Sequence, residues 1–433
     1  MNLYIIVLGL IVLALLGVSI ARLGKVKTKA DYLVAGRSLP AFVLVFTLLS
    51  SWIGSGSLLG GAENAYKHGF AALWQSAGGW AGLALIYFIA PRARKFAQYT
   101  IPDLLEARYN QTARVLGVLA VLFAYTAITS YQFIGGGDIL HLIFPSISAV
   151  HGQYILAGFV ILFTMIAGMG SVAYMDVVIG MLATITMIAA LPVLVHLAGG
   201  WSGVRAILPA THFQVFGDIH PFNSYMQTLP DGSTQQVQSA LEIFLPTCLL
   251  MLGNQAMYQK FFSAKTEKDA TRATLGWVVG TVILESVIVA IAVVGSALYR
   301  SGEVSQRPRE ILVVSRFIVV ALGAWALYQS LGTTSVLKQS LYAYTIYSAA
   351  LTPVILAAFF WRRATAAGAV TSIAAGTLVT VFWDKPFVTQ HLPASLAARD
   401  AILPALIVSL ISLGLVSLLT PRPSEAKLRP FTE

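Results

Sequence analysis

The chain alternates long apolar runs with short polar connections. Twelve runs approach the roughly 20 residues that a helix needs to cross a bilayer. They cover about 3–21, 41–65, 71–90, 114–134, 152–168, 174–199, 239–258, 274–298, 312–331, 335–360, 365–383 and 401–420. The first run is a poor secretory leader, because no charge precedes it and no small-x-small cleavage site follows. The longest polar connection, about 200–238, contains Pro, Gly, Asp and His and predicts an exposed loop with short surface helices. No segment is large enough for a separate soluble domain, so 1–433 reads as one transmembrane domain of all-α, polytopic class.

Composition sharpens this picture. Hydrophobic residues make up 57% of the chain and charged residues 11%, against about 25% charged in soluble domains. A soluble enzyme, a disordered chain and a fibrous repeat are excluded. The single cysteine, Cys248, excludes a disulfide framework and a cysteine-based metal site. There is no Walker A lysine motif and no HExxH spacing, so neither ATP hydrolysis nor metal-dependent hydrolysis is expected. The net charge of +10 reads as loop lysines and arginines facing the cytoplasm rather than as a nucleic-acid surface. The expected setting is multi-pass insertion in the cell (inner) membrane, with the lipid bilayer as partner and no nucleic acid.

Basic residues also give an orientation. With the N-terminus outside, the inner loops up to residue 299 hold 14 Lys and Arg and the outer loops only Lys67 and Arg205. Past residue 300, strict alternation of twelve spans leaves 3 basic residues inside and 9 outside. One more span between Arg300 and Arg307 would change that count to 8 inside and 4 outside. The second half thus behaves like that of a thirteen-span protein short of one span near 301–306. The alternative is that this half violates a statistical rule.

Candidate chemistry concentrates in two spans. Ser50-Ser51-Trp52-Ile53-Gly54-Ser55-Gly56-Ser57-Leu58-Leu59-Gly60-Gly61 holds four Ser and four Gly. Glycine weakens a helix and serine competes for its hydrogen bonds. Such a break at mid-membrane can free carbonyls for an ion; equally, small residues allow close helix packing. The spacing of Gly54, Gly56 and Gly60 does not fit a dinucleotide fingerprint. The seventh span carries Pro246, Thr247, Gly253, Asn254 and Gln255, which read as a second break or as a proline kink with ordinary interhelical bonds. Two interrupted spans, five apart in order, match two inverted five-helix repeats. Asp176 at the start of the sixth span reads as an ion-exit or helix-terminal group, or as an interfacial one. Glu285, deep in the eighth, reads as a carboxyl that is protonated or paired, or as a proton- or cation-linked one. Gln132, before Gly135-Gly136-Gly137, lines a polar cavity or bridges two helices.

Four segments carry a resemblance: Ala30-Asp31-Tyr32-Leu33-Val34-Ala35-Gly36-Arg37-Ser38-Leu39-Pro40; Tyr99-Thr100-Ile101-Pro102-Asp103 with Glu106, Arg108 and Tyr109; Gly168-Met169-Gly170-Ser171-Val172-Ala173-Tyr174-Met175-Asp176; and Asn254-Gln255 with Gln259 and Ala264-Lys265. Together they resemble the sodium:solute symporter family over nearly the whole chain. The resemblance implies a LeuT-type fold and Na⁺-coupled uptake of a small organic solute by alternating access. The solute could be a sugar, an amino acid, a carboxylate or a vitamin. By motif, the Ser50 and Ile53 carbonyls would be the first-repeat Na⁺ ligands. Ser51, Trp52, Ser55, Ser57, Gln132, Asn254 and Gln255 would face the substrate, with Asp176 near the ion's exit. On that plan, 1–40 is a peripheral helix and loop, 41–200 the first repeat and 201–238 an outer loop. Residues 239–360 form the second repeat, and 361–433 the peripheral C-terminal helices and tail.

One departure stands out. The family places a hydroxyl-rich helix after the one corresponding to 274–298, and its hydroxyls complete the sodium site. Here Arg300-Ser301-Gly302-Glu303-Val304 runs almost directly into Gln306-Arg307-Pro308-Arg309-Glu310. The second repeat is expected to be one helix short and the sodium site incomplete. A second reading follows from that gap: a truncated, non-transporting scaffold or sensor.

Overall fold

The computed structural model describes residue 17 and residues 27–96, 99–166, 168–228, 234–300, 336–397 and 399–432. The expected spans 3–21 (apart from residue 17) and 312–331, and the gap near 301–306, lie outside the described residues. Numbered in chain order, the described helices of eight residues or more are α1 (Ala41–Trp52), α2 (Gly61–His68), α3 (Leu73–Ile86), α4 (Ile101–Arg108), α5 (Gln111–Ile143), α6 (Ala149–Ile166), α7 (Met169–Leu197), α8 (Gly200–Ile207), α9 (Ala240–Gly253), α10 (Gln255–Ser263), α11 (Glu267–Arg300), α12 (Val336–Ile346), α13 (Thr352–Phe360), α14 (Ala366–Phe382), α15 (Ile402–Leu419) and α16 (Glu425–Thr432). Among the described residues, six stretches (111–143, 169–197, 240–263, 267–298, 337–360 and 402–419) are long and apolar enough to cross a membrane, or seven if the bent pair 41–52 and 56–86 is one span.

Their starts are written locally. Thr100 Oγ1 accepts the Asp103 N–H at 3.3 Å, Ser239 Oγ that of Glu242 at 3.3 Å, and Thr365 Oγ1 that of Gly368 at 3.2 Å; each satisfies a donor that a helix leaves open at its first turn. The 200–238 connection differs from expectation. Besides α8 it forms an antiparallel hairpin, β1 (Tyr225–Thr228) with β2 (Thr234–Val237), in which Tyr225 pairs with Val237. The intervening Leu229-Pro230-Asp231-Gly232-Ser233 is a turn signal in sequence.

The residues cluster into two compact units that interleave along the chain: 1–63, 126–208 and 259–340 form the first, and 64–125, 209–258 and 341–433 the second. In the first, α1, α7 and α11 pack on one another. In the second, α3 lies against α9 and α14 against α15.

The second unit fixes its own topology. Arg92 stacks over the Phe360 ring at 4.9 Å, and Arg108 Nη2 donates to the carbonyls of Trp361 at 3.4 Å and Ala364 at 3.2 Å. Lys427 Nζ donates to Tyr109 O. The connection after α13 and the tail helix therefore share the basic side of residues 92–109. At the opposite end, Arg399 donates to Phe222 O at 2.5 Å and to Asn223 Oδ1 at 2.7 Å, and lies 3.7 Å from Glu242 near the start of α9. If residues 92–109 face the inner side, Arg362, Arg363 and Lys427 would face it too, which is the side that the thirteen-span count gives them. In a Cys248→Ser background, a cysteine at Glu425 is expected to react with an impermeant maleimide from the cytoplasmic face only, and one at Asn223 from the outside only. Labelling of Glu425→Cys in intact cells would reverse this topology.

The cluster at this end is expected to respond to pH through Asp400. Asp400 accepts from Gln238 Nε2 at 2.6 Å and from the Ile402 N–H at 3.0 Å. Burial, reinforced by the nearby Glu242 carboxylate, pushes its carboxyl up to about 7. A carboxyl raised on folding binds extra protons in the native state, so its contribution to stability falls as pH rises from the ordinary carboxylate range toward 7. Asp400→Asn is expected to raise Tm by about 2 °C at pH 8 and leave it unchanged at pH 4. Equal shifts at both pH values would refute the assignment.

Candidate functional site

The first broken helix is the centre of the site. α1 ends at Trp52, and Ile53 leaves the helical region at φ −83°, ψ 80°. The Gly54 N–H, which would return to Ser50 O in an unbroken helix, goes to Trp52 O at 3.0 Å. The Ser55 N–H, which would reach Ser51 O, is taken by Gln132 Oε1 at 3.0 Å. The Ser50 and Ser51 carbonyls thereby lose their i+4 donors, the condition that turns a helix end into a cation ligand. The chain resumes as a π-turn over Gly56–Gly60, with a 52° bend between the two helical parts. Ser57 Oγ folds back to Trp52 O at 3.3 Å.

Glycines let Gln132 reach the break. A Cβ on Gly54 would lie 2.5 Å from Gln132 Nε2, and one on Gly135 would lie 2.6 Å from Ser55 Oγ. α5 therefore presses directly on the interruption. Gln132 thus bridges two helices at the break, which is one of its two sequence readings.

Below the break lies a polar cluster. Asp176 on α7 accepts from Thr47 Oγ1 and, at 3.2 Å, from Ser50 Oγ. Lys260 on α10 donates to Thr47 O and Ser51 Oγ, and its Nζ is 3.8 Å from Asp176 Oδ2. The Lys260 side chain is 4% exposed and that of Asp176 13%. The segment that carries Lys260 is stitched to the connection before α1. Gln259 Nε2 donates to Leu33 O at 2.6 Å, the Leu39 N–H to Ser263 O at 3.1 Å, and the Lys265 N–H to Leu39 O at 2.9 Å. The Ala41 N–H at the start of α1 finds Asp269 Oδ1 at 3.3 Å. Sequence reasoning counted Lys260 as an inner-loop charge and passed over Thr47. The overlooked signal was the neighbourhood of Lys260, set among Tyr258, Phe261 and Phe262, which are all fully buried.

Trp52 and Glu285, assigned separate roles from sequence, meet in one contact: the buried indole Nε1 donates to Glu285 Oε1 at 2.7 Å. Asn254 and Gln255 belong to the second unit and mark the second break, where Asn254 is extended at φ −74°, ψ 116°. Their side chains serve the backbone. Asn254 Oδ1 accepts the Ala256 N–H at 2.9 Å, and Gln255 Oε1 the Ile101 N–H at the start of α4 at 2.7 Å. Among the described residues no group of three or more His, Cys, Asp or Glu could hold a metal ion.

Two membrane helices interrupted at mid-span, with carbonyls released at the first, define a secondary active transporter of LeuT-type fold. A solved structure of a Na⁺-coupled sialic acid symporter in a substrate-bound outward-open state has the same fold, with a TM-score of 0.71 at 12% identity over 98% of each chain. The model of the sodium:solute symporter family matches residues 32–313, and the chain belongs to that family; it is a transporter and not an enzyme. Its relatives include an osmoregulated proline transporter of Bacillus subtilis (strain 168), 24% identical over 99% of this chain and 97% of the relative. A sodium/proline symporter of Staphylococcus aureus (strain JH9) is 23% identical over 91% of this chain and 88% of that one. Family membership makes Na⁺ the co-transported ion of a solute symporter.

Proposed function

We propose that this transporter carries a small neutral or zwitterionic amino acid, with proline the first candidate, into the cell across the cytoplasmic membrane on a Na⁺ gradient. The observation that carries the reading is the break at 53–55, with Ser50 tied to Asp176 and its carbonyl released from the helix. In this reading Ser50 and Ile53 supply carbonyls to Na⁺. Ser51, Ser55, Ser57 and Gln132 face the solute path, with Trp52 held in place by Glu285. Asn254 and Gln255 shape the second break. Residues 1–433 act as one transporter domain, with 41–200 and 239–360 as its repeats.

The Na⁺ site is proposed to be short of oxygens from the second repeat. The alignment with the Bacillus relative runs over 496 positions, 63 more than the 433 residues of this chain. At least that many positions are filled in the relative alone, which supports an internal shortfall. Hard cations need several oxygens, so the Na⁺ dependence should be shallow and weakly saturating. Uptake of labelled proline into proteoliposomes is the test. An inward Na⁺ gradient should stimulate it, and an equal K⁺ gradient should not. Equal uptake in both, or none with proline and other amino acids, would refute the reading.

A further inference from the structure

We propose that the Lys260 ammonium is a built-in cation of the transport path: it occupies the oxygens of Thr47, Ser51 and Asp176, and Na⁺ passing toward the inner side must displace it. The inference rests on the assignment of the Ser50 region to the ion.

The oxygens that surround Lys260 Nζ are a backbone carbonyl, a hydroxyl and a carboxylate. These are the ligand types that hold an alkali cation. Thr47 and Ser51 lie within one turn of Ser50, the first proposed Na⁺ ligand, and Ser50 itself donates to the same Asp176. An ammonium and Na⁺ carry the same charge and want the same oxygens. Close to one carboxylate, both together would repel across a poorly solvated gap.

A purely architectural ion pair explains the geometry less well. Asp176 already has two hydroxyl donors, from Thr47 and Ser50. In α1 the Thr47 carbonyl is the regular acceptor for the Ser51 N–H. Neither group needs the lysine in order to be satisfied. The lysine needs them, because a buried ammonium without acceptors is costly. The carboxylate stands at 3.8 Å rather than in direct contact, and Ser51 is exposed beside the buried stem. The ammonium is therefore held by replaceable contacts at the edge of an accessible position. The lysine would keep the exit neutral while the Na⁺ site is empty and compete with the ion when it arrives, weakening Na⁺ binding and speeding its release.

Two measurements on the full-length protein test this. First, binding of radioactive Na⁺ to detergent-purified protein without solute is compared for wild type, Lys260→Gln and Lys260→Met. Loss of the competing cation should tighten Na⁺ binding about tenfold, about 1.4 kcal/mol, while the maximal rate of Na⁺-driven uptake falls because release slows. Unchanged or weaker Na⁺ binding in folded variants overturns the proposal, since a merely architectural lysine predicts that result. Second, wild-type protein is reductively methylated with formaldehyde in Na⁺ and in choline, and modification at Lys260 is read by mass spectrometry. Na⁺ should raise labelling of Lys260 relative to the other lysines; no rise overturns the proposal. If neither variant folds, the wild-type labelling decides alone. Because binding and labelling need no solute, absence of Na⁺-driven uptake would strike the symport reading and leave this one to be judged on its own data.

Discussion

Gly82→Leu is expected to abolish folded protein, with Gly78→Leu close behind. Gly78 and Gly82 are four apart on α3 and face Phe244 and Cys248, four apart on α9. A Cβ on Gly78 would sit 2.1 Å from Phe244 O. One on Gly82 would sit 2.3 Å from Cys248 O and 2.7 Å from Met251 Cβ. The two backbones are in contact, and no rotamer relieves a clash with a carbonyl. In a membrane, association of helices depends on such close approach, because lipid tails are as apolar as leucine. A leucine would force the helices several ångströms apart and forfeit the dispersion contacts along them. Gly295→Leu is the control, since a Cβ there meets nothing within 4 Å. Size-exclusion profiles of fluorescently tagged variants should show a normal peak for the control and near-complete loss for Gly82→Leu. A normal peak for Gly82→Leu would refute the close packing.

What could be read from sequence was local. The break at 53–55 was legible because glycine and serine density writes it directly into the chain, and the second break because Gly253 and Asn254 end a helix. Charge counting also groups residues 362 and 363 with the basic segment 92–108, and in the structure Arg108 reaches the carbonyls of Trp361 and Ala364 beside them. Contacts between distant positions were not legible. Trp52 and Glu285 are 233 residues apart, and nothing in either neighbourhood names the other. Asn254 and Gln255 looked like substrate amides because polar groups in a span need partners. An amide oxygen can equally take a helix N–H, and in the structure each of the two does so. Lys260 was hidden by the rule that located the loops: a basic residue near a helix end counts toward the inner side, and the count is the same whether its head reaches water or folds inward beneath α1.

Asp176→Asn should cut Na⁺-driven uptake by roughly a hundredfold or more. Asp176 is the anion of a cluster that holds a buried ammonium and two hydroxyl donors. Asparagine keeps the shape and one acceptor but removes the charge, so the Lys260 ammonium stays buried without a counter-charge. Breaking a buried pair from one side typically costs about 3–5 kcal/mol; contact across 3.8 Å places this pair toward the lower end. The loss has two separable parts, because Asp176 both balances Lys260 and attracts the incoming ion. A double-mutant cycle separates them. If balance were its only task, Asp176→Asn combined with Lys260→Gln would recover both stability and uptake. If Asp176 also serves the ion, the double variant should recover its melting temperature yet still transport poorly, with weak Na⁺ dependence. The second outcome is expected, because in the double variant no charge remains beside Ser50 to draw Na⁺ toward the released carbonyls. Near-normal uptake by Asp176→Asn alone would remove Asp176 from the ion path.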